Sequence, residues 1–391
     1  VPRSRPPTQN ECDVWPDALI AHACSRSFPL LSCPRSACAR IVPPQHFAST
    51  ELAMKNHSQL RRTLTRASLT LAALLATLGA PAVFANSDAP PPTAAKQLRI
   101  GYQKYGTLTV LKARGTLEKR LASQGIEVKW TEFPAGPQLL EGLNVGAIDF
   151  GTTGEAPTIF ALAAGAHLVY VGNQPPAPAG EAIIVPKNSP LKSVADLKGK
   201  RVAFNKGSNV HYLLVKLLEK ANVPYSDIQP VYLTPADARA AFERGAVDAW
   251  VIWDPFFAAA EQQLGARVLA DGTGVVNNSQ YFLASKGYAT ARPDVLNIVL
   301  DELKKTDAWA VANPKEVTNI LGPQLGLEPA VVARSVSRIA YGIQPVGPEA
   351  LADQQRIADT FHALKLIPRQ VKVADSAWKP AAQPATQQAA R

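Results

Sequence analysis

Beyond residue 85 the sequence contains no cysteine, because Cys12, Cys24, Cys33 and Cys38 all precede it. The 306 residues from 86 onward therefore exclude a disulfide framework, a thiolate metal site, a lipid-anchoring thiol and a cysteine nucleophile. Histidine is scarce in the same region: His167, His211 and His362 are scattered and lack metal-ligand spacing. No G-x-S-x-G elbow, H-E-x-x-H pair or Walker loop occurs. Long apolar runs are also missing. The longest uncharged stretch, Ala156 to Gly180, is interrupted by Gly165, His167, Asn173 and the prolines Pro175, Pro176 and Pro178, so no transmembrane helix is expected.

Methionine occurs once, at Met54, and the residues after it have the order of an export signal. Lys55, Arg61, Arg62 and Arg66 make a basic start, Ala67 to Ala80 an apolar middle, and Val83-Phe84-Ala85 a small-residue end. This predicts a secretory signal peptide at 54–85, cleaved near Ala85, and hence a periplasmic protein. Arg61-Arg62 fits a twin-arginine signal loosely, so general export is the default. Residues 1–53, rich in Pro, Arg and Ser and without periodicity, are expected to be a non-native extension from a start placed too far upstream. A genuine disordered extension is the alternative. Nine of the 41 basic and four of the 31 acidic residues precede residue 86, which leaves 32 against 27 and a net charge of +5. Such a mild excess fits a protein that handles anions, and with no basic helix interleaved with aromatics it gives no reason to expect nucleic acid as partner.

What is present is a unit that recurs four times, a buried strand, a glycine-rich or polar turn and a helix start: LRIGYQKYG (98–106), IDFGTTGEAP (148–157), RVAFNKGSNVHY (201–212) and VDAWVIWDPF (247–256). The pattern predicts strands at 98–103, 126–132, 147–151 and 167–172 with helices at 107–123, 137–144 and 156–164 between them, a βαβ order that implies a parallel sheet covered by helices. A second series has helices at 209–221, 235–244 and 255–264 and strands at 229–233, 247–252 and 266–270, and after it come helices at 292–312, 314–321, 328–338 and 347–363. Apolar runs at 182–187 and 281–286 read as crossings between two lobes that can close on a ligand. The expected divisions are a linker at 86–97, the first part of lobe 1 at 98–185, lobe 2 at 186–281, the return and C-terminal helices at 282–380, and a disordered tail at 381–391. Ligands of open α/β sheets bind beyond the carboxyl ends of the strands, and helix N-termini favour anions, so the four loops read as one small-molecule site.

The blocks RIGYQKYG, EFPAGPQLLEGLNVGAIDFGTTGEAPTIFALAAGA, VADLKGKRVAFNKGSNVHYLL, DIQPVYLTPADARAAFERGAVDAWVIWDPF and ARVLADGTG resemble the aliphatic sulfonate-binding proteins of bacterial ABC importers, in the wider group that takes up taurine and nitrate. The likeness runs from about Leu98 to Pro380, and the blocks at 131–157 and 228–256 are its most specific parts. It implies an α/β type II periplasmic binding protein fold, two lobes with parallel-core sheets and a cleft between them, capture of a sulfonate, and delivery to a permease in the inner membrane for sulfur acquisition. It implies a monomer with no cofactor, no metal and no catalytic residue.

A sulfonate stays ionised at any biological pH and offers three acceptor oxygens, so it needs converging donors and no proton transfer. Backbone N–H groups after Gly151-Thr152-Thr153-Gly154 and Gly207-Ser208-Asn209 can supply them, with Thr153, Ser208, Asn209 and the Gln103 amide adding side-chain donors. Isolated Gly-Ser and Gly-Thr turns are also common punctuation. Gly136, in Pro134-Ala135-Gly136, is a candidate wall. Glu155 is either a first-turn acid favoured by the helix dipole or an acceptor for an amine on the ligand. Trp253 offers a face to the organic tail or belongs to the core. Asp254 either does as Glu155 would or serves as a helix start before Pro255. Arg239 is the candidate cation, with a solvated helix face as the alternative. Other readings are a taurine, nitrate or other small-anion binder, a pyrimidine-synthase-like enzyme using Ser208 and His211, and the sensor half of a transcription regulator, which here lacks an N-terminal DNA-binding helix pair.

Overall fold

The computed structural model describes residues 96–379; the expected signal peptide, the segment 1–53, nearly all of the linker and the tail 381–391 lie outside the described residues. The first sheet consists of β1 (Gln97–Tyr102), β2 (Glu127–Glu132), β3 (Phe150–Gly154), β4 (Leu168–Asn173) and β10 (Gln280–Ser285), in the order β2-β1-β3-β10-β4. The second consists of β5 (Glu181–Val185), β6 (Arg201–Phe204), β7 (Gln229–Tyr232), β8 (Ala249–Trp253) and β9 (Arg267–Asp271), in the order β7-β6-β8-β5-β9. The two orders are equivalent. In each, three parallel strands are followed by one antiparallel strand that the crossing chain supplies.

This refines the expectation of parallel sheets and of lobe boundaries. Both sheets are mixed: β10 runs antiparallel to β3 and β4, and β5 antiparallel to β8 and β9. The run at 181–185, expected to end the first lobe, is the buried fourth strand of the second sheet, and Gln280–Ser285 is inserted into the first. Apart from Glu181 in β5 and the ends of β10, Gln280 and Ser285, each crossing strand is apolar on both faces because it fills a gap between strands already covered by helices.

Among the described residues twelve α-helices cover the sheets: α1 (Gly106–Arg114), α2 (Thr116–Ala122), α3 (Gly136–Asn144), α4 (Glu155–Ala164), α5 (Asn209–Lys220), α6 (Pro235–Glu243), α7 (Phe256–Gln263), α8 (Lys286–Ala291), α9 (Pro293–Ala312), α10 (Pro314–Leu325), α11 (Pro329–Val336) and α12 (Pro348–Ala363). The single helix expected at 107–123 is two, because Gly115 at φ 62° closes α1 through its N–H on Leu111 and Lys112. The third strand sits later than expected, at 150–154. Ala147 is still held by the end of α3, its N–H donating to Gly142 O at 2.9 Å, and the fully buried FGTTG takes the pairing with β1 and β10. No helix among the described residues is long and apolar enough to cross a membrane.

The largest core cluster runs through both lobes, joining Ile159 and Tyr170 of the first to Phe204 and Leu213 of the second, with Phe361 of α12 among them. Each lobe also carries the same clamp at the base of its sheet. Arg99 gives its backbone N–H and two guanidinium N–H groups to Asp149, at 2.9, 3.0 and 2.6 Å, and Arg201 does the same to Asp248, at 2.8, 3.2 and 3.0 Å. These fork contacts tie the first parallel strand of each sheet to the loop that enters the third.

Candidate functional site

The starts of four helices meet between the lobes. Tyr105 before α1, Gly136 at the start of α3, Gly154 before α4, and Ser208 and Asn209 at the start of α5 all line one chamber of about 440 Å³, its mouth included. None of these four helices has its first turn capped by the side chain of its own N-cap residue. A helix start leaves N–H groups without intrahelical acceptors and carries a partial positive charge. The other lining residues are Gln103, Pro157, Gly180, Trp253, Asn278 and Gln280, so no charged side chain among the described residues lines the chamber. What the chamber presents to a ligand is therefore backbone dipoles and neutral amides, a donor set that suits an anion.

Beside the chamber the lobes are joined by a polar contact. Asn209 of α5 accepts the Ala156 N–H of α4 at 3.1 Å and donates to Asn278 Oδ1 at 2.6 Å. This is possible because residue 154 is glycine: a Cβ there would lie 2.1 Å from Asn209 Nδ2. The Asn209 side chain is thus a clamp between α4, α5 and the segment entering β10.

Of the expected site residues, Gln103, Gly136, Gly154, Ser208, Asn209 and Trp253 come together around the chamber. Ser208 keeps its hydroxyl on Asn205 O at 2.7 Å, which pins the turn into α5. Thr153 does not reach the chamber; it lies fully buried in β3 with its hydroxyl on Gly154 O at 2.9 Å. Glu155 also lies behind the wall, where its Oε2 accepts the Ser279 N–H at 3.1 Å. Burial pushes its carboxyl up to about 7, and the N–H groups of Ser279 and Asn278 pull it partly back. Asp254 takes the helix-start role. Its Oδ1 accepts the Ala258 N–H at 3.0 Å, and Arg338 stands 3.3 Å from both its oxygens, although burial still outweighs this cation and raises the carboxyl to about 6.

Arg239 stands in an outer chamber of about 960 Å³ that shares Gln103, Tyr105 and Trp253 with the inner one. There it donates to Glu243 at 2.8 Å and Gln263 at 3.0 Å. Phe133, Pro134, Phe256, Leu325 and Leu327 make much of that chamber apolar. The pair Ser208 and His211 considered for catalysis is not formed. His211 accepts the Gly207 N–H on Nδ1 at 3.2 Å, so its Nε2 carries the proton toward Tyr225 Oη at 3.0 Å, and burial among aromatic rings lowers its pKa to about 3.

Sequence reasoning missed Tyr105, Pro157, Gly180, Asn278 and Gln280. The last three lie on the two crossing segments, and the signal that could have found them was there: ligands in such sheets bind where the chain changes direction. Asn278 adopts φ 51°, a left-handed conformation that asparagine tolerates better than most residues.

A family profile described as NMT1/THI5 like matches residues 121–317. Among curated proteins, the aliphatic sulfonates-binding protein of Escherichia coli (strain K12) is 48% identical over 285 residues, covering 72% of this chain and 89% of that protein. Among solved structures, the alkanesulfonate-binding protein SsuA from Xanthomonas axonopodis pv. citri, bound to MOPS, superposes with a TM-score of 0.69 at 45% identity, covering 72% of this chain and 98% of that one. The desulfurization enzyme DSZB matches at a TM-score of 0.53 and 18% identity, a likeness of fold alone.

Proposed function

Because the chain belongs to the NMT1/THI5-like family and, within it, to the aliphatic sulfonate-binding proteins, we propose that it captures an alkanesulfonate between its lobes and delivers it to an ABC permease as a source of sulfur. The observation that carries this reading is the meeting of four helix starts, none capped by its own N-cap side chain, around a chamber without charged side chains among its described lining residues. A sulfonate brings a permanent charge and three oxygens, which match several fixed N–H donors better than one cation. Gln103, Tyr105 and Gln280 can add side-chain donors, and burial keeps the Tyr105 phenol protonated by raising its pKa well above the usual value. The organic tail then lies along Trp253 into the apolar outer chamber. The apolar lining of that chamber suits a longer alkyl tail, which nitrate lacks and which the short, charged aminoethyl tail of taurine does not supply.

In this reading Gly136, Gly154, Ser208 and Asn209 serve through their backbone, Thr153 and Glu155 support them from behind, and Asp254 fixes the wall that bears Trp253. Export through the signal peptide at 54–85 and action as a periplasmic monomer without catalysis complete the proposal. A ligand that bridges the lobes shifts an open–closed equilibrium only by binding the closed state better.

A thermal-shift series on the purified protein tests it, with alkanesulfonates, taurine, nitrate, sulfate and a carboxylate of matched length. At about a hundredfold excess over Kd the true ligand adds roughly 2.7 kcal/mol. The expected result is selective stabilisation by alkanesulfonates, lost in Gly154→Ala, whose methyl group displaces Asn209. Equal response to sulfate would remove the tail from the argument, and no response would remove the sulfonate.

A further inference from the structure

Behind the inner chamber two acids are buried with oxygens that nothing among the described residues satisfies. Neither oxygen of Glu181 and only one oxygen of Glu155 has a hydrogen-bond partner there, and the two residues are 0% and 2% exposed. Their charges feel one another. Asn209 and Asn278, joined by a side-chain hydrogen bond, line the chamber, and the Asn278 N–H also acts on the Glu155 carboxylate. Glu155 is moreover the first residue of α4, and Gly154, immediately before it, lines the chamber. An ionised Glu155 and a bound anion therefore draw on the same helix N-terminus from opposite sides.

We infer that capture of a sulfonate is coupled to uptake of one proton by the Glu155–Glu181 pair, because the bound anion and an ionised Glu155 compete for the start of α4. This rests on the sulfonate reading of the chamber. The proton comes from solvent and goes to a carboxylate oxygen, and the sulfonate stays ionised throughout. Burial holds Glu155 at about 7 in the empty protein and Glu181 well above the usual carboxylate range, and an anion nearby raises both further. Affinity is then greatest where the pair is already protonated and falls as pH rises through about 7.

Of the groups that face the pair, Asp254, tied beside Glu181 by its N–H on Gly180 O at 2.9 Å, is raised by burial to about 6 and so titrates below Glu155. Tyr212 of α5 and Tyr281 of β10 are phenols raised above their usual range by burial and by Glu155, and so stay neutral. Asp353 of α12 is ion-paired with Arg356 and accepts from Asn277 at 2.7 Å. The Tyr105 phenol is raised by burial, with Glu181 among its neighbours. His211 of α5 is neutral.

The test is calorimetric titration with butane-1-sulfonate, which has no titrating group, in sulfonate-free buffers of small and large ionisation enthalpy. The expected result is affinity that falls by about tenfold per pH unit above about pH 7, with uptake approaching one proton. Glu155→Gln should abolish the slope and Glu181→Gln should reduce it. A wild-type affinity constant within about twofold from pH 6 to 9, with no proton taken up, overturns the inference, as does a slope kept by both variants. If Glu155→Gln fails to fold, the wild-type proton count and Glu181→Gln still decide. Failure of butane-1-sulfonate to bind even at pH 6 overturns the sulfonate reading and the coupling with it, a result distinct from pH-independent binding.

Discussion

The two lobes repeat one another at the base of their sheets and part company at the top. Arg99–Asp149 and Arg201–Asp248 are the same fork clamp on equivalent strands. At the other end of the third parallel strand each lobe again places a buried acid at a helix start, Glu155 after β3 and Asp254 after β8. Asp254 is given a cation, Arg338, which also donates to Glu261 at 2.5 Å and lies 4.0 Å over the Phe257 ring. Glu155 is given two backbone N–H groups and is left with an oxygen that no described residue satisfies. The bases hold the sheets and are interchangeable devices. The tops differ because one acid fixes a wall while the other stands at the positive end of a helix whose start lines the chamber.

The largest effect should come from breaking the compensated acid. Arg338→Met leaves Asp254 buried with its charge unpaired, which costs about 3–5 kcal/mol by chemical denaturation at pH 7.5. The cost should shrink at pH 5, where Asp254 can take a proton, and Asp254→Asn in the same chain should recover most of it. A loss of less than about 1 kcal/mol would mean that Arg338 acts only at the surface of the contact.

The uncompensated acid gives the next effect, through pH. Burial raises Glu155 from an ordinary 4.5 to about 7, so folding favours its protonated form. The stability this contributes is full below about pH 4.5 and is lost as pH rises through about 7, a swing of about 3 kcal/mol. The difference between the wild-type and Glu155→Gln stability curves isolates it. A difference that stays constant from pH 4.5 to 8 would show that Glu155 is not held up by burial.

How much of this was readable in the sequence obeys the same division. The strand and helix alternation gave both lobes, since buried strands and glycine turns are local signals, and the resemblance gave the family. The six residues found around the chamber sit directly in strand-to-helix turns, where main-chain geometry is dictated by neighbours in sequence. Gly180, Asn278 and Gln280 were missed because their role depends on which strands the crossings bring side by side, and only the crossings themselves are local signals. Asp254 could be weighed as a helix start, but its cation lies 84 residues away in sequence. Nothing local in GTTGEAP says that Glu155 would turn away from the chamber toward Ser279.

The clamps offer a smaller contrast of identical chemistry at different burial. Asp149 has a side chain 8% exposed, Asp248 one that is 33% exposed. Asp149→Asn should cost about 2–3 kcal/mol and Asp248→Asn about 1 kcal/mol or less, because water screens the second pair. Equal costs would show that the fork geometry, and not burial, sets the energy.

The smallest expected effect is at Arg239, the one expected site residue that the structure moves to the outer chamber. Its pair with Glu243 is i,i+4 and partly solvated, so Arg239→Ala should change stability by no more than about 0.5 kcal/mol. Its charge lines the outer chamber, so the variant should weaken a sulfonate whose tail ends in a carboxylate by a few-fold more than an alkanesulfonate of the same length with an uncharged tail. Added salt should narrow that gap, as it does for any exposed charge pair. If both ligands weaken equally, Arg239 acts on the inner chamber through Trp253, and the division between a charge-free inner chamber and a charged outer rim does not hold.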